Sequence, residues 1–213
     1  MELSDLAPPG TVLIPILDRG QSVALHPLEA ELVARAGDKR RRDFALGRAC
    51  ARAALAALEF PEAPIGRAES GMPLWPQGVV GSITHTSGLA AALVGRGSEF
   101  RALGIDAERS EAMDETLAPR LFVPSELALL SALDAPRRRE MATLLFSAKE
   151  AYYKLFHPLA GRRLDFRRLE IVPGASGFTA RQPQEPDGWA EPIAGRFAVM
   201  DGLVVTVIGL SVS

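Results

Sequence analysis

Four side chains, in two groups, are spaced so that they could share one piece of chemistry. Asp106 and Glu108 stand two residues apart, directly after the apolar run Leu103-Gly104-Ile105. Residues i and i+2 of a strand point to the same side. Two carboxylates are thus forced together, which is costly unless a cation sits between them. Exposure at the surface would also relieve the repulsion, but the apolar lead-in favours a partly sheltered metal site. A set of oxygen donors suits magnesium or manganese better than zinc. Glu150 and Lys154 form the second group, four apart, with Ser147 one turn before them and Lys149 alongside. By themselves they read equally well as an ion pair on a solvated helix face.

The elements around these residues have to position them. A long helix is predicted from near Pro136 to just before Pro158, with Met141, Leu144, Ala148, Tyr152 and Leu155 as its apolar stripe. Earlier in the chain come a strand over 11–17, a short helix over 27–36 and a longer helix over 39–58 with Asp38 as its cap. Arg41, Arg48 and Arg52 fall on one face of that longer helix, and Lys39, Arg40 and Arg42 add charge at its start. Cations near a helix N-terminus oppose the macrodipole. The cluster therefore does not serve helix stability, and reads as a solvated patch or an anion site. A rigid Gly-Pro turn over 71–78 leads to strands over 79–85 and 89–95. His85 ends the first of these among Ser82, Thr84 and Thr86, where a structural and a functional role are equally open. After the acidic pair come a helix over 124–133, the long helix, and strands over 169–172, 178–181, 196–200 and 203–210. Asp201-Gly202 is a hairpin turn signal between the last two. A strand, helices, strands pattern thus occurs twice in an α/β (α+β) chain, and divides it into residues 1–102 and 103–213.

Bulk properties narrow the classes. The chain has 213 residues, with 47% hydrophobic and 23% charged residues, as expected of a globular protein. Its net charge of −2 gives no overall field for nucleic acid, so an anion site must be built locally. Neither a helix-turn-helix nor an aromatic stacking platform accompanies the basic run at 39–42. Cys50 is the only cysteine, which excludes an intrachain disulfide and a cysteine-rich zinc site. No basic-then-apolar leader opens the sequence, and no apolar run nears the roughly 18 residues needed to cross a bilayer. The expectation is a cytoplasmic protein without membrane or nucleic-acid partners.

Four segments, in order, resemble the 4'-phosphopantetheinyl transferases, in particular the monomeric enterobactin-synthetase-component-D-like type that activates siderophore and polyketide synthases. They are Gly47-Arg48-Ala49-Cys50-Ala51-Arg52 with the preceding arginines; Gly71-Met72-Pro73-Leu74-Trp75-Pro76 through Gly81-Ser82-Ile83-Thr84-His85; Gly104-Ile105-Asp106-Ala107-Glu108; and Phe146-Ser147-Ala148-Lys149-Glu150-Ala151-Tyr152-Tyr153-Lys154. The resemblance implies a pseudo-twofold fold, two similar halves with coenzyme A held between them. It implies transfer of the phosphopantetheine arm of coenzyme A to a serine of an acyl or peptidyl carrier protein, releasing adenosine 3',5'-bisphosphate. Asp106, Glu108 and Glu150 are then the positions for magnesium, with manganese the alternative ion. Glu150 matches the position of the base, Lys154 neutralises the transferring phosphate, and Lys149 is placed to help. Arg40, Arg48 and His85, with Arg67, match the 3'-phosphate positions. Ser82 and Thr84 offer hydrogen bonds, Gly71 and Pro73 shape the loop against the adenine, and Leu164 belongs to the pantetheine channel. Arg163 stands where relatives often carry a bulky channel residue. Arg162 and Arg163 are expected to meet the carrier, which in this reaction class is usually acidic around its serine. Two other readings stand beside it: a metal-dependent phosphohydrolase acting on a coenzyme A-like nucleotide with the same carboxylates, and an inactive coenzyme A-binding module, which would keep the arginines and His85 but lack the acidic triad.

Overall fold

A computed structural model describes residues 2–182 and 191–212. The first half contains β1 (Thr11–Leu17), α1 (Pro27–Glu31), α2 (Asp38–Ala57), β2 (Gly66–Arg67), β3 (Pro73–Leu74), β4 (Val79–Thr86) and β5 (Leu89–Arg96). The second half contains β6 (Phe100–Arg109), α3 (Ala118–Leu121), α4 (Pro124–Ser131), α5 (Ala135–Ala160), β7 (Glu170–Pro173), β8 (Gly177–Arg181), β9 (Ile193–Met200) and β10 (Leu203–Ser211).

The two passes along the chain build the same unit. In the first, β1 pairs antiparallel with β5, the second strand of the β4–β5 hairpin, giving the order β1-β5-β4. In the second, β6 pairs antiparallel with β10, the second strand of the β9–β10 hairpin, and β8 and β7 extend the sheet to β6-β10-β9-β8-β7. Both hairpins are tight. The second turns at Asp201-Gly202, both at positive φ, 51° and 71°, as a two-residue hairpin loop requires.

Alternation along the strands stacks the layers. Leu89, Ala91 and Leu93 of β5 share a core with Leu103, Ile105 and Ala107 of β6 and with Leu203, Val205 and Val207 of β10. The intervening Ala90, Ala92 and Val94 face Leu46, Cys50, Ala51 and Leu55 of α2. On the far side, α5 covers the second sheet, with Leu145, Ala148, Tyr152 and Leu155 packed near Ala102, Ile171 and Ile208. The layers run α2, sheet, sheet, α5. The sheets also meet along β4 and β6, which lie against each other without a shared ladder. At this seam a side chain replaces a strand carbonyl: the Ala107 N–H donates to Thr84 Oγ1 at 3.2 Å.

Several boundaries differ from the sequence expectation. Helix α5 does not stop before Pro158 but carries it in its last turn and ends at Ala160, capped by Gly161, whose φ is 64°. Near a C-terminus the missing N–H of proline costs one bond, and the Gly161 N–H restores a link by donating to the His157 carbonyl. Helix α1 ends at Glu31, and turns carry the chain to Ala36. Gly37, not Asp38, is the N-cap of α2. Ser147 leaves the polar row of α5: it is buried against β10, 2.9 Å from Thr206 Oγ1. Among the described residues no helix is long and apolar enough to cross a membrane.

Candidate active site

The β4–β6 seam gathers most of the candidate residues. Gly104 makes this possible. A Cβ there would fall 1.9 Å from the Ala151 carbonyl oxygen, so only glycine lets α5 lie this close to β6. Three residues further along α5, the Lys154 ammonium donates to Asp106 Oδ1 at 2.7 Å, to the Ile105 carbonyl at 3.0 Å and to Thr84 Oγ1 at 3.3 Å. Its three donors are thereby occupied. Asp106 is buried, and its Oδ2 has no hydrogen-bond partner. Burial raises the Glu108 carboxyl to about 7, with the charges of Asp106 and Glu150 adding to the rise against Lys154. Burial, then the Asp106 charge, also raises Glu150.

These three carboxylates repel one another, but they do not converge on a single point. Among the described residues no three His, Cys, Asp or Glu side chains form a metal-holding group. The donor set still fits a hard divalent cation: every donor is a carboxylate oxygen, one is an orphaned buried atom, and two carry the mutual repulsion a cation would relieve.

Two cavities follow the seam, and a third lies beyond it along α5. The first, of about 300 Å³, is lined by Arg40, Arg48, Arg67 and His85 on one side and Thr84, Asp106 and Lys154 on the other, with Gly71 and Pro73 at its edge. The second, of about 550 Å³, shares Arg40, Arg67, Pro73 and Lys154 and runs on past Trp75, Ser82, Arg101 and His157. The third, of about 350 Å³, holds Glu150, Tyr153, Arg163, Leu164 and Phe166. Tyr153 lines both the second and the third.

Local structure aims the cations. The β2–β3 pair sets Arg67 opposite Pro73, and Gly71, at φ 92°, turns the loop between them. Arg40 Nη1 lies 3.1 Å from His85 Nε2, and Asp43 stands 4.0 Å from His85 Nδ1. Burial, and the positive charges of Arg40 and Lys154, lower the His85 pKa against the pull of Asp43. A neutral ring with its proton on Nδ1, accepting from Arg40 on Nε2, satisfies both neighbours.

The arginine face of α2 departs from the sequence expectation. Arg41 donates to the carbonyls of Ala36 and Ala34, at 2.7 and 3.1 Å. Arg48 donates to Ile65 and Gly66, at 3.0 and 2.9 Å, over the Phe44 ring, and burial lowers its pKa to about 10. Arg52 pairs with the buried Glu29 and donates to the Ala24 carbonyl. The row staples α2 to its neighbouring loops. Arg40, one position off the row, is the helix-borne cation that reaches His85.

Lys149 also departs from expectation. It is fully buried, paired with Glu126 at 2.8 Å, and lines none of the three cavities, so it cannot meet a phosphate in this arrangement. Glu108 lines none of them either. Ser82 is buried beside the second cavity, with its hydroxyl lacking a partner. Arg163 lines the third cavity, whereas Arg162 lies over the Phe156 ring, 5.0 Å from its centroid.

Sequence reasoning missed Tyr153, His157 and Arg101. Tyr153 and His157 lie one and two turns beyond Glu150 on α5, stacked at 5.3 Å. The predicted helix contains both, but the polar row was followed only as far as Lys154, and one more turn would have reached His157. Arg101 carries no comparable signal.

Comparison with known proteins places the chain in a family. The family model for the 4'-phosphopantetheinyl transferase N-terminal domain fits residues 28–95, and that for the 4'-phosphopantetheinyl transferase superfamily fits residues 102–205. The 4'-phosphopantetheinyl transferase Npt of Nocardia iowensis is 36% identical over 97% of this chain and 98% of its own. The 4'-phosphopantetheinyl transferase Svp of Streptomyces mobaraensis is 42% identical over 88% of this chain and 79% of its own. Enterobactin synthase component D of Salmonella typhi is 36% identical over 57% of this chain and 50% of its own. The chain belongs to the 4'-phosphopantetheinyl transferase family. It is an enzyme that transfers the phosphopantetheine arm.

Proposed function

We propose that the chain holds coenzyme A along the β4–β6 seam and passes its arm to the serine of an acyl or peptidyl carrier protein at Glu150. The observation that carries this reading is the contact of Lys154 with Asp106 beside two carboxylates of raised pKa, where a cationic cavity shares Arg40, Arg67 and Lys154 with a more apolar one. Residues 1–102 supply the nucleotide side. Arg40, Arg67 and His85 take the 3'-phosphate, and Arg48 contributes charge more than hydrogen bonds. Gly71 and Pro73 lie along the adenine, and Ser82 and Thr84 offer hydroxyls. Residues 103–213 supply the chemistry. Leu164 lies against the pantetheine arm. The serine oxygen attacks the phosphorus on the pantetheine side, and its proton passes to Glu150, whose raised pKa suits a base near neutrality. The bond to the bridging oxygen breaks, and adenosine 3',5'-bisphosphate leaves with the electron pair while Lys154 offsets charge on the transferring phosphate. Asp106, Glu108 and Glu150 would hold magnesium, or manganese in its place, which when bound offsets negative charge on the phosphates.

Arg163, with Arg120 beside it at the third cavity, is the candidate contact for an acidic carrier. The reading includes a monomer working in the cytoplasm, with both halves of the chain lining the first cavity. Intact-mass measurement of an apo carrier protein, incubated with the enzyme, coenzyme A and magnesium, tests it. A gain of one phosphopantetheine on the carrier is expected. Consumption of coenzyme A with an unmodified carrier would make the protein a hydrolase instead.

A further inference from the structure

Behind Glu150, on the hidden side of α5, sits an ion pair that the reaction does not touch. Glu126 and Lys149 are 2% and 0% exposed, with Nζ and Oε2 2.8 Å apart. Glu126 accepts from the Val123 N–H at 2.9 Å and the Ile171 N–H at 2.7 Å. Lys149 donates to the carbonyls of Phe166, at 2.7 Å, and Leu169, and its ammonium lies 5.7 Å from the Phe122 ring centroid. One pair thus ties together the start of α4, the start of β7, α5 and the turn over 166–168. A buried ion pair is poor value for stability alone, because a well-packed apolar pair often serves as well. Its geometry is more informative. Successive helix residues point about 100° apart, so one turn of α5 sends Glu150 to the third cavity and Lys149 into the interior. Lys149 grips the carbonyl of Phe166, which forms the opposite wall of that cavity. The Phe166 ring sits edge-on to Phe146 and Tyr153, with centroids 6.4 and 6.5 Å away. Tyr153 is the wall shared with the second cavity.

We propose that the Glu126–Lys149 pair is a positioning device for arm transfer, fixing the span between Glu150 and the Leu164–Phe166 wall and, through Phe166, the Tyr153 ring. The inference rests on the third cavity holding the arm and the attacking serine. The test is the double variant Glu126→Gln, Lys149→Met, which strands no buried charge. Two readouts are taken: kcat against the coenzyme A Michaelis constant, and hydrogen exchange of amides 162–169. A kcat per folded molecule lower by roughly tenfold to a hundredfold is expected. The coenzyme A constant should stay within about twofold, and the 162–169 amides should exchange faster while those of 79–96 stay unchanged. Leu46→Ala, in the α2 core, serves as the control: it should lower the melting temperature and leave kcat per folded molecule intact. Unchanged kcat, or unchanged exchange at 162–169, overturns the proposal. If the double variant does not fold, Glu126→Asp retracts the carboxylate while keeping both charges, and the same two readouts decide. If the unmodified enzyme transfers nothing to a carrier, the functional reading falls, while the exchange experiment still judges the clamp.

Discussion

Helices α2 and α5 occupy equivalent places in the two halves, and both carry charge on a face that packs against the fold. They use it oppositely. On α2 the row Arg41, Arg48, Arg52 is consumed by carbonyls of adjoining loops and by the buried Glu29. On α5 the hidden charge, Lys149, is consumed in the same manner, but Glu150 and Lys154 stay at the cavities. Lys154 is also held by a main-chain carbonyl and a carboxylate, at Ile105 and Asp106, but at the wall of two cavities, whereas Lys149 is held in the interior.

Substitutions on both helices and at the seam test this contrast. The largest effect is expected at the seam. Asp106→Ala removes the partner of Lys154 and a charge that the reaction needs, and should slow transfer by roughly a thousandfold or more. Circular dichroism should still report a folded protein. Near-normal turnover by the folded variant would remove Asp106 from the chemistry.

On α2 the loss should appear as stability. Arg52→Ala strands the buried Glu29 and should lower unfolding free energy by about 3 kcal/mol in urea titrations. Coenzyme A affinity of the folded variant should hold, and a matching drop in affinity would return Arg52 to the anion site.

Arg40, one position off that row, should behave like an α5 residue. Arg40→Ala is expected to weaken coenzyme A by about 1.5–3 kcal/mol, as for a charge-assisted hydrogen bond. Dephospho-coenzyme A should lose much less, as calorimetry with both ligands can read. Equal losses would move Arg40 away from the 3'-phosphate.

The smallest effect is a pH dependence. Burial holds the folded His85 pKa below its unfolded value of about 6.5. Between the two values the unfolded chain binds the extra proton, so the His85 contribution to stability rises with pH there and is lost as pH falls below about 6.5. His85→Ala should lower the slope of melting temperature against pH over that window, where the raised Glu108 and Glu150 carboxyls act with the opposite sign. An unchanged slope would assign it to another group.

Much of this was legible in the chain. The repeated strand, helices, strands order, the Asp201-Gly202 hairpin and the apolar stripe of α5 follow from periodicity and turn chemistry, which are local. The alternation at 103–108 put Asp106 and Glu108 on one side of a strand. The four-residue step put Glu150 and Lys154 on one helix face. What was misread at Arg48 and Lys149 depended on partners distant in sequence. Lys149 and Glu150 are neighbours with similar exposure by any local measure. Glu126, 23 positions earlier, hid one and left the other. Glu126 sits in the first turn of α4, where its carboxylate also accepts from the Val123 N–H.

Periodicity and residue type determined which side chains exist on each face: a basic α2, an acidic strand end, and a polar row on α5. Tertiary structure decided which of them face a cavity. That choice depends on where main-chain acceptors fall. Carbonyls at 65–66 take up hydrogen-bond donors of Arg48 and leave only its charge to the first cavity, and those of Phe166 and Leu169 hold Lys149 in the interior. The glycine at 104 admits α5 closely enough for Lys154 to reach Asp106. A charge must find its nearest partner in three dimensions, and in a low-dielectric interior that partner sets whether it stays or is spent.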